Sequence, residues 1–359
     1  MAKYRCTTLD GEISLSTTIS KKDLHFYSVR VAPFKVYGLY NIRDGKPFRR
    51  MPEEVAKATS PSVAELNFNT AGGRIRFATD SECIALKVTT PGFNGGHMFR
   101  SFIAENGFDM FVNGKFYAVF KPEERKHDEY DAVVSFPDRR MRNIEINFPT
   151  YCKVNEVYIG LEPTSALREG VEYRHKKHIV YYGSSITQGA IASRPGNAYQ
   201  AIISRRYDCN FINLGFSGSG KAEDAVVKYM SELDMSMFVC DYDHNAPDPQ
   251  YLKDTHEKLY RAIRASHRNI PIIFVTRPDY DTDETDSAKR RNIVHETFLK
   301  AVSEGDRLVS FIDGKSLYHG MDRDCCTADG CHPNDAGLVR MADVIGEQIS
   351  YWLGAMNDE

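Results

Sequence analysis

The sequence predicts two domains: an antiparallel β-sandwich of jelly-roll type over residues 1–165 and an α/β domain over residues 175–359. The length of 359 residues exceeds what a single hydrophobic core usually serves. Before residue 165, apolar and polar residues alternate at every second position, which is typical of half-buried strands. After residue 175, apolar runs alternate with helical stretches, which indicates a parallel sheet covered on both faces.

In the first half, strand patterns recur from about residue 20 to 165, and no helical pattern is evident. The clearest segments are 75–77, 84–88, 144–148 and 154–161. Asn113-Gly114 lies between two apolar runs and predicts a hairpin, because both central positions of such a turn need positive φ. A polar connector, 162–170, then separates the two halves.

In the second half, five strands and five helices are predicted. The strands are Ile179–Tyr182, Phe211–Leu214, Met237–Asp241, Ile272–Thr276 and Val309–Ile312. The helices are Ala198–Tyr207, Lys221–Leu233, Tyr251–Ser266, Ala288–Ser303 and Asp335–Leu353. In such an open sheet, ligands bind at the carboxyl ends of the strands.

Composition and charge restrict the partners. Hydrophobic residues make up 42% of the chain, and 46 basic against 49 acidic side chains give a net charge of −3. No broad positive field results, so a nucleic-acid partner is not expected. The N-terminus lacks a signal-peptide pattern and no apolar run reaches membrane-spanning length, which predicts a cytoplasmic protein without a membrane partner. The sequence is compatible with a homo-oligomer.

The eight cysteines are scattered, which predicts reduced thiols rather than a disulfide framework. Cys325, Cys326 and Cys331 with His332 superficially suggest a metal site, but their spacing fits no common zinc pattern. We therefore expect neither a metal nor a cofactor.

An acyl-transferring site needs a nucleophile, a base, a group that orients the base, and donors for an oxyanion. Ser185 follows the first predicted strand, and a glycine-rich loop around Gly218 follows the second. Asn245 follows the third strand and can donate through an uncharged amide. Asp329 stands three residues before His332, a spacing that lets the carboxylate bond one imidazole nitrogen while the other faces Ser185.

Ser185, Gly218, Asn245 and His332 together resemble the four sequence blocks of the SGNH (GDSL-type) hydrolase superfamily. The phrases Gly-Ser-Ser-Ile-Thr-Gln-Gly, Asn-Leu-Gly-Phe-Ser-Gly and Asp-Tyr-Asp-His-Asn-Ala-Pro resemble a subgroup with a β-rich N-terminal domain. Phe48-Arg49-Arg50-Met51-Pro52 and Gly38-Leu39-Tyr40 resemble that domain's motifs. The resemblance implies a flavodoxin-like, three-layer hydrolase domain and a serine esterase acting on acyl esters, in particular acetyl groups on sugars or oligosaccharides.

By this resemblance Ser185 attacks the ester carbonyl, His332 acts as general base and then general acid, and Asp329 orients His332. The amides of Ser185 and Gly218 and the side chain of Asn245 would form the oxyanion hole. In one departure, Ser184 stands where the superfamily's Gly-Asp-Ser block has an aspartate.

Further substrate-binding candidates follow from their loops at the same sheet edge. They are Arg194, Arg277, His244 beside Asp243, and Tyr280, whose ring could stack on a sugar. Three other functions stay open at this point: a non-catalytic carbohydrate-binding protein with a degenerate SGNH domain, a lysophospholipase or thioesterase of the same superfamily, and a flavodoxin-like nucleotide binder that uses the first turn as a phosphate cradle.

Overall fold

The computed structural model describes residues 1–21, 23–92, 98–122, 128–278 and 286–355. Its contacts divide the chain into two units. The first comprises Met1–Arg50, Phe68–Glu172 and Arg194–Gly196, and the second comprises Met51–Asn67, Tyr173–Ser193 and Asn197–Glu359. The predicted domains 1–165 and 175–359 differ from this division at two short segments, because 51–67 belongs to the second unit and 194–196 to the first.

The described residues form seventeen strands and nine α-helices. The strands are β1 (Ala2–Thr8), β2 (Gly11–Thr17), β3 (His25–Ser28), β4 (Lys35–Tyr37), β5 (Arg74–Thr79), β6 (Cys83–Thr89), β7 (Phe108–Val112), β8 (Lys115–Phe120), β9 (Glu129–Ser135), β10 (Arg142–Asn147), β11 (Glu156–Leu161), β12 (Leu167–Glu169), β13 (His175–Gly183), β14 (Cys209–Gly215), β15 (Met235–Asp241), β16 (Ile272–Val275) and β17 (Val309–Ile312). The helices are α1 (Glu53–Thr59), α2 (Pro61–Leu66), α3 (Phe102–Asn106), α4 (Ser185–Gln188), α5 (Tyr199–Tyr207), α6 (Asp224–Ser231), α7 (Pro249–Ser266), α8 (Asp286–Ser303) and α9 (Asp335–Ala355).

The first unit is a β-sandwich, as predicted. One sheet has the order β2-β1-β3-β11-β6-β9, and the other has the order β12-β5-β10-β7-β8, with β4 paired to β5. All the pairings described are antiparallel except β1 with β3, which is parallel. Buried apolar residues of both sheets, including Phe77 of β5 and Leu86 of β6, form one core. The β7–β8 hairpin turns through Asn113 at φ 49° and Gly114 at φ 79°, the positive values that the dipeptide predicted.

The segment 51–67 corrects the expectation that only strands precede residue 165. It folds into α1 and α2, and Ser60 caps α2 by accepting a hydrogen bond from the Val63 amide with Pro61 at the first helical position. The buried residues Met51, Ala56 and Val63 join the hydrophobic core of the second unit. Burial of these apolar side chains explains why the segment belongs there.

The second unit has a five-stranded parallel sheet in the order β14-β13-β15-β16-β17. In chain order this is 2-1-3-4-5, the flavodoxin-like arrangement, whose ligand site lies where the strand order reverses. Helix α5 packs beside α9, while α6, α7 and α8 pack in sequence. Every strand and helix predicted after residue 175 is present with ends shifted by a few residues. Among the described helices, none is long and apolar enough to cross a membrane.

Candidate active site

The nucleophile candidate lies at the turn from β13 into α4. The Oγ of Ser184 accepts a hydrogen bond from the Ile186 amide at 3.1 Å, so Ser184 is the N-cap of this short helix. Ser185 is then the first helical residue and is buried, with 5% of its surface exposed. Its amide is one of the helix-terminal N–H groups that have no partner within the helix.

A chain of short hydrogen bonds joins three of the predicted residues. The Oγ of Ser185 lies 2.8 Å from Nε2 of His332, and Nδ1 of His332 lies 2.7 Å from Oδ2 of Asp329. Because an ionised carboxylate can only accept, Nδ1 carries the proton and Nε2 is free to accept the serine hydroxyl. This is the arrangement of a nucleophile, a base and an orienting acid.

The loop around Asp329 holds its carboxylate in the ionised form. Partial burial opposes ionisation, but Oδ1 accepts the amides of Cys331 and His332 at 2.9 and 2.7 Å. Together with the bond from the His332 ring, these donors keep the pKa of Asp329 below its ordinary value. The same bonds fix the loop that carries the imidazole.

Buried polar side chains that the sequence did not indicate as part of the site form hydrogen bonds that hold helix α4 in place. The hydroxyls of Thr187 and Tyr199 donate to Oδ2 of Asp241, at 2.8 and 3.1 Å. The side-chain amides of Gln200 and Asn213 both donate to the Thr187 carbonyl at 2.7 Å. All five are buried, so they set the position of α4. A carboxylate directly after the apolar run of strand β15 was the sequence feature that could have indicated Asp241 as part of the site.

Burial raises the pKa of Asp241 to about 8, and the neighbouring Asp243 carboxyl contributes in the same direction. The two hydroxyl donors oppose this shift without cancelling it. A protonated carboxyl is therefore favoured at neutral pH, and it supports α4 without placing a full charge beneath the nucleophile.

The two other oxyanion candidates lie in loops after β14 and β15. Gly218 is exposed, at φ 66°, and among the described residues no acceptor takes its amide hydrogen. Oδ1 of Asn245 accepts the Gly220 amide at 3.3 Å, which leaves the Nδ2 group of Asn245 as a donor. Both loops follow the carboxyl ends of strands of one sheet, and the role of these two donors in an oxyanion hole stays a prediction.

The secondary candidates differ in their surroundings. In the second unit, Arg277 donates from Nη1 to Nδ1 of His244 at 3.3 Å. In the first unit, Arg194 pairs with Asp109 at 2.8 Å and stacks on the Phe116 ring, so its guanidinium already has partners. Tyr280 lies outside the described residues.

The cysteine cluster near the C-terminus is divided between different partners. Sγ of Cys326 accepts from Arg340 at 3.3 Å, whereas Sγ of Cys331 lies 3.3 Å from Nε2 of His244. Over the part of the chain that the structure describes, no three His, Cys, Asp or Glu side chains are grouped as a metal site would require.

Comparisons with known proteins identify a family for each half of the chain. Residues 176–350 match the GDSL-like lipase/acylhydrolase family, and residues 24–167 match the N-terminus of SGNH-hydrolase-type esterases. A comparison with curated proteins finds no match. The two matched regions together cover most of the chain.

Among solved structures, a GDSL-like lipase from Bacteroides ovatus is 28% identical, with a TM-score of 0.83, over 92% of this chain and 98% of that one. The salicylyl-acyltransferase SsfX3 of a tetracycline biosynthetic pathway is 20% identical, with a TM-score of 0.75, over 94% and 98%. The acetyl xylan esterase Est2A of the rumen bacterium Butyrivibrio proteoclasticus is 11% identical, with a TM-score of 0.60, over 93% and 99%. At these identities the last two bear on the fold alone.

Proposed function

We propose that this chain, which belongs to the SGNH (GDSL-type) hydrolase superfamily with its β-rich N-terminal domain, is a serine esterase for acetyl esters of sugars or oligosaccharides. The observation that carries the proposal is the continuous hydrogen-bond chain from Ser185 through His332 to Asp329. It supplies a hydroxyl, a base for its proton, and a carboxylate that fixes the base.

In the proposed mechanism, the Oγ of Ser185 attacks the ester carbonyl carbon while Nε2 of His332 takes the hydroxyl proton. The oxyanion that develops accepts hydrogen bonds from the amides of Ser185 and Gly218 and from Nδ2 of Asn245. His332 then gives its proton to the leaving alcohol oxygen, and the carbon–oxygen bond breaks to leave an acyl-enzyme. Water, deprotonated by His332, releases the acid and restores Ser185.

Ser184 in place of the superfamily aspartate motivated the alternative of a non-catalytic carbohydrate binder. Its Oγ nevertheless caps α4, a role for which serine and aspartate are about equally suited. The departure therefore gives no reason to expect a misplaced nucleophile, which supports the catalytic proposal.

The choice of acetylated sugars follows from the resemblance of the sequence motifs, an acetyl xylan esterase shares the fold over 93% of this chain, and a substrate screen tests the choice. Purified protein is incubated with acetylated oligosaccharides, long-chain lysophospholipids and acyl thioesters, and the products are identified by mass spectrometry. We expect loss of acetyl groups from the oligosaccharides. A preference for long acyl chains or thioesters would replace this substrate class with a lysophospholipase or thioesterase, and glycan binding without turnover would favour the non-catalytic alternative.

A further inference from the structure

The loop after β16 presents Arg277 on a fixed backbone. The Arg277 amide donates to Oδ2 of the buried Asp243 at 2.9 Å, and the preceding Thr276 accepts the Gly314 amide at 2.7 Å. A Cβ on Gly314 would overlap the carbonyl oxygen of Arg277, so only glycine lets the two backbones approach this closely. The Arg277 side chain therefore starts from a well-defined position.

A neutral imidazole then holds the guanidinium. Burial, followed by the effect of the neighbouring Arg277, His332 and Arg290 side chains, lowers the pKa of His244 to about 4. Since an arginine can only donate, Nδ1 of His244 accepts from Nη1 of Arg277, and the ring proton is on Nε2. That Nε2–H faces Sγ of Cys331 at 3.3 Å. One ring thus contacts both Arg277 and the residue directly before the catalytic histidine candidate.

Arg277 forms no salt bridge among the described residues, which omit 279–285, and its charge acts on the buried Asp243 carboxyl only over a longer distance. Its Nε is buried without a hydrogen-bond acceptor there. The Asp243 carboxyl accepts a hydrogen bond from the Arg277 main chain and not from the guanidinium, and burial raises the pKa of this carboxyl. Arg290, by contrast, is paired with Asp286 at 2.5 Å and donates to two main-chain carbonyls. Arg277 is therefore a half-buried cation that retains donors for an incoming group.

We propose that Arg277 is a specificity-determining residue that binds an anionic group carried by the ester substrate, so that the natural substrates are acyl esters of acidic molecules such as carboxylate-bearing sugars. The inference rests on the proposed esterase function. A planar guanidinium binds carboxylate oxygens in a bidentate manner, and charge-assisted hydrogen bonds of this kind exceed neutral ones in strength. The Arg277–His244–Cys331 contacts place this cation beside the loop that carries His332.

The test uses two esters that differ in charge but hardly in shape: 4-acetoxybenzoate and 4-acetoxybenzamide. For the wild type we expect kcat/KM to favour the benzoate by roughly tenfold or more, as a charge-assisted hydrogen bond implies. Arg277→Gln should bring the benzoate-to-benzamide ratio close to one, and Arg277→Lys should give an intermediate ratio. Arg268→Gln, which removes an exposed arginine of the same unit, is the matched control and should keep the wild-type ratio.

The ratio separates recognition from support of the fold, because a merely structural arginine would lower both rates together. A wild type that does not prefer the benzoate, or an unchanged ratio in Arg277→Gln, overturns the inference. If that variant does not fold, an unchanged ratio in Arg277→Lys has the same consequence. 4-Acetoxybenzenesulfonate distinguishes the anion: turnover like that of the benzoate identifies charge as the recognised feature, and a clear preference for the benzoate identifies the carboxylate. If the wild type hydrolyses neither of the two matched esters, the esterase proposal itself is refuted.

Discussion

The Oγ of Ser184 accepts the amide hydrogen of Ile186 at 3.1 Å and so caps the helix that begins with Ser185. Replacing an N-cap serine with alanine typically costs about 1 kcal/mol of stability. We therefore expect Ser184→Ala to lower the free energy of unfolding by that amount and to reduce kcat about tenfold through a less ordered nucleophile. Ser184→Asp retains a capping oxygen and should keep both properties near wild type. Urea denaturation and steady-state kinetics measure them, and equal behaviour of the two variants would contradict the capping role.

Asn245 offers a test of the oxyanion hole with a matched pair of variants. Asn245→Ala should lower kcat by roughly 10²- to 10³-fold with little change in KM, as expected for loss of one oxyanion donor. Asn245→Asp keeps an oxygen that can accept the Gly220 amide but has no N–H to donate. It should be at least as impaired as the alanine variant, and near-wild-type turnover would exclude the side chain of Asn245 from the oxyanion hole.

Asp329 is expected to act through the orientation of His332. Asp329→Asn should lower kcat by roughly two to four orders of magnitude, because an amide nitrogen next to Nδ1 favours the wrong tautomer. Asp324→Asn, at an exposed position of the same C-terminal segment, serves as the control and should retain activity. Equal activity of the two variants would argue against a Ser185–His332–Asp329 mechanism.

The lowered pKa of Asp329 also predicts how the free energy of unfolding depends on pH. Its folded-state pKa lies below the ordinary value of 3.8, so its contribution to stability is complete above that pH. The contribution is lost as the pH falls through the lowered folded-state pKa. The Asp329→Asn variant lacks this contribution, so its stability difference from the wild type should shrink as unfolding is measured at progressively lower pH.

The raised pKa of Asp241 predicts that the free energy of unfolding depends on pH with the opposite sign. Its pKa is about 8 in the folded chain, against an ordinary value of 3.8, so the folded state binds more protons between about pH 4 and 8. The contribution of Asp241 to the free energy of unfolding should therefore fall as the pH rises through this window. Asp241→Asn removes the titration and should flatten the slope, whereas Asp224→Asn on the surface should not. Urea denaturation at pH 5, 6 and 7 measures the slopes, and identical slopes for all three proteins would contradict a raised pKa.

The second half of the fold could be predicted because each strand contains a short apolar run and because α7, α8 and α9 are 18 to 21 residues long. β13 to β17 and α5 to α9 carry periodic signals that tertiary contacts reinforce. The triad could be predicted because Asp329 and His332 are close in sequence, and the end of β13 places Ser185 at the sheet edge.

Other features depended on contacts that periodicity does not encode. Helices α1 and α2 are too short for a clear 3.6-residue pattern, although Ser60-Pro61 carried a usable N-terminal signal. The parallel pairing of β1 with β3 joins segments whose patterns are equally compatible with antiparallel pairing. The His244–Cys331 contact spans 87 positions, and the bond from Thr187 to Asp241 spans 54. Only the folded chain brings such pairs together.

Intact-mass spectrometry of the protein during turnover of p-nitrophenyl acetate tests the central claim most directly. The account predicts that the wild type gains the mass of one acetyl group and that peptide mapping places this group on Ser185. The Ser185→Ala variant should remain folded, but it should neither gain this mass nor turn over the ester. Hydrolysis by Ser185→Ala at the wild-type rate, or an acetyl group on another residue that forms at the rate of turnover, would contradict it.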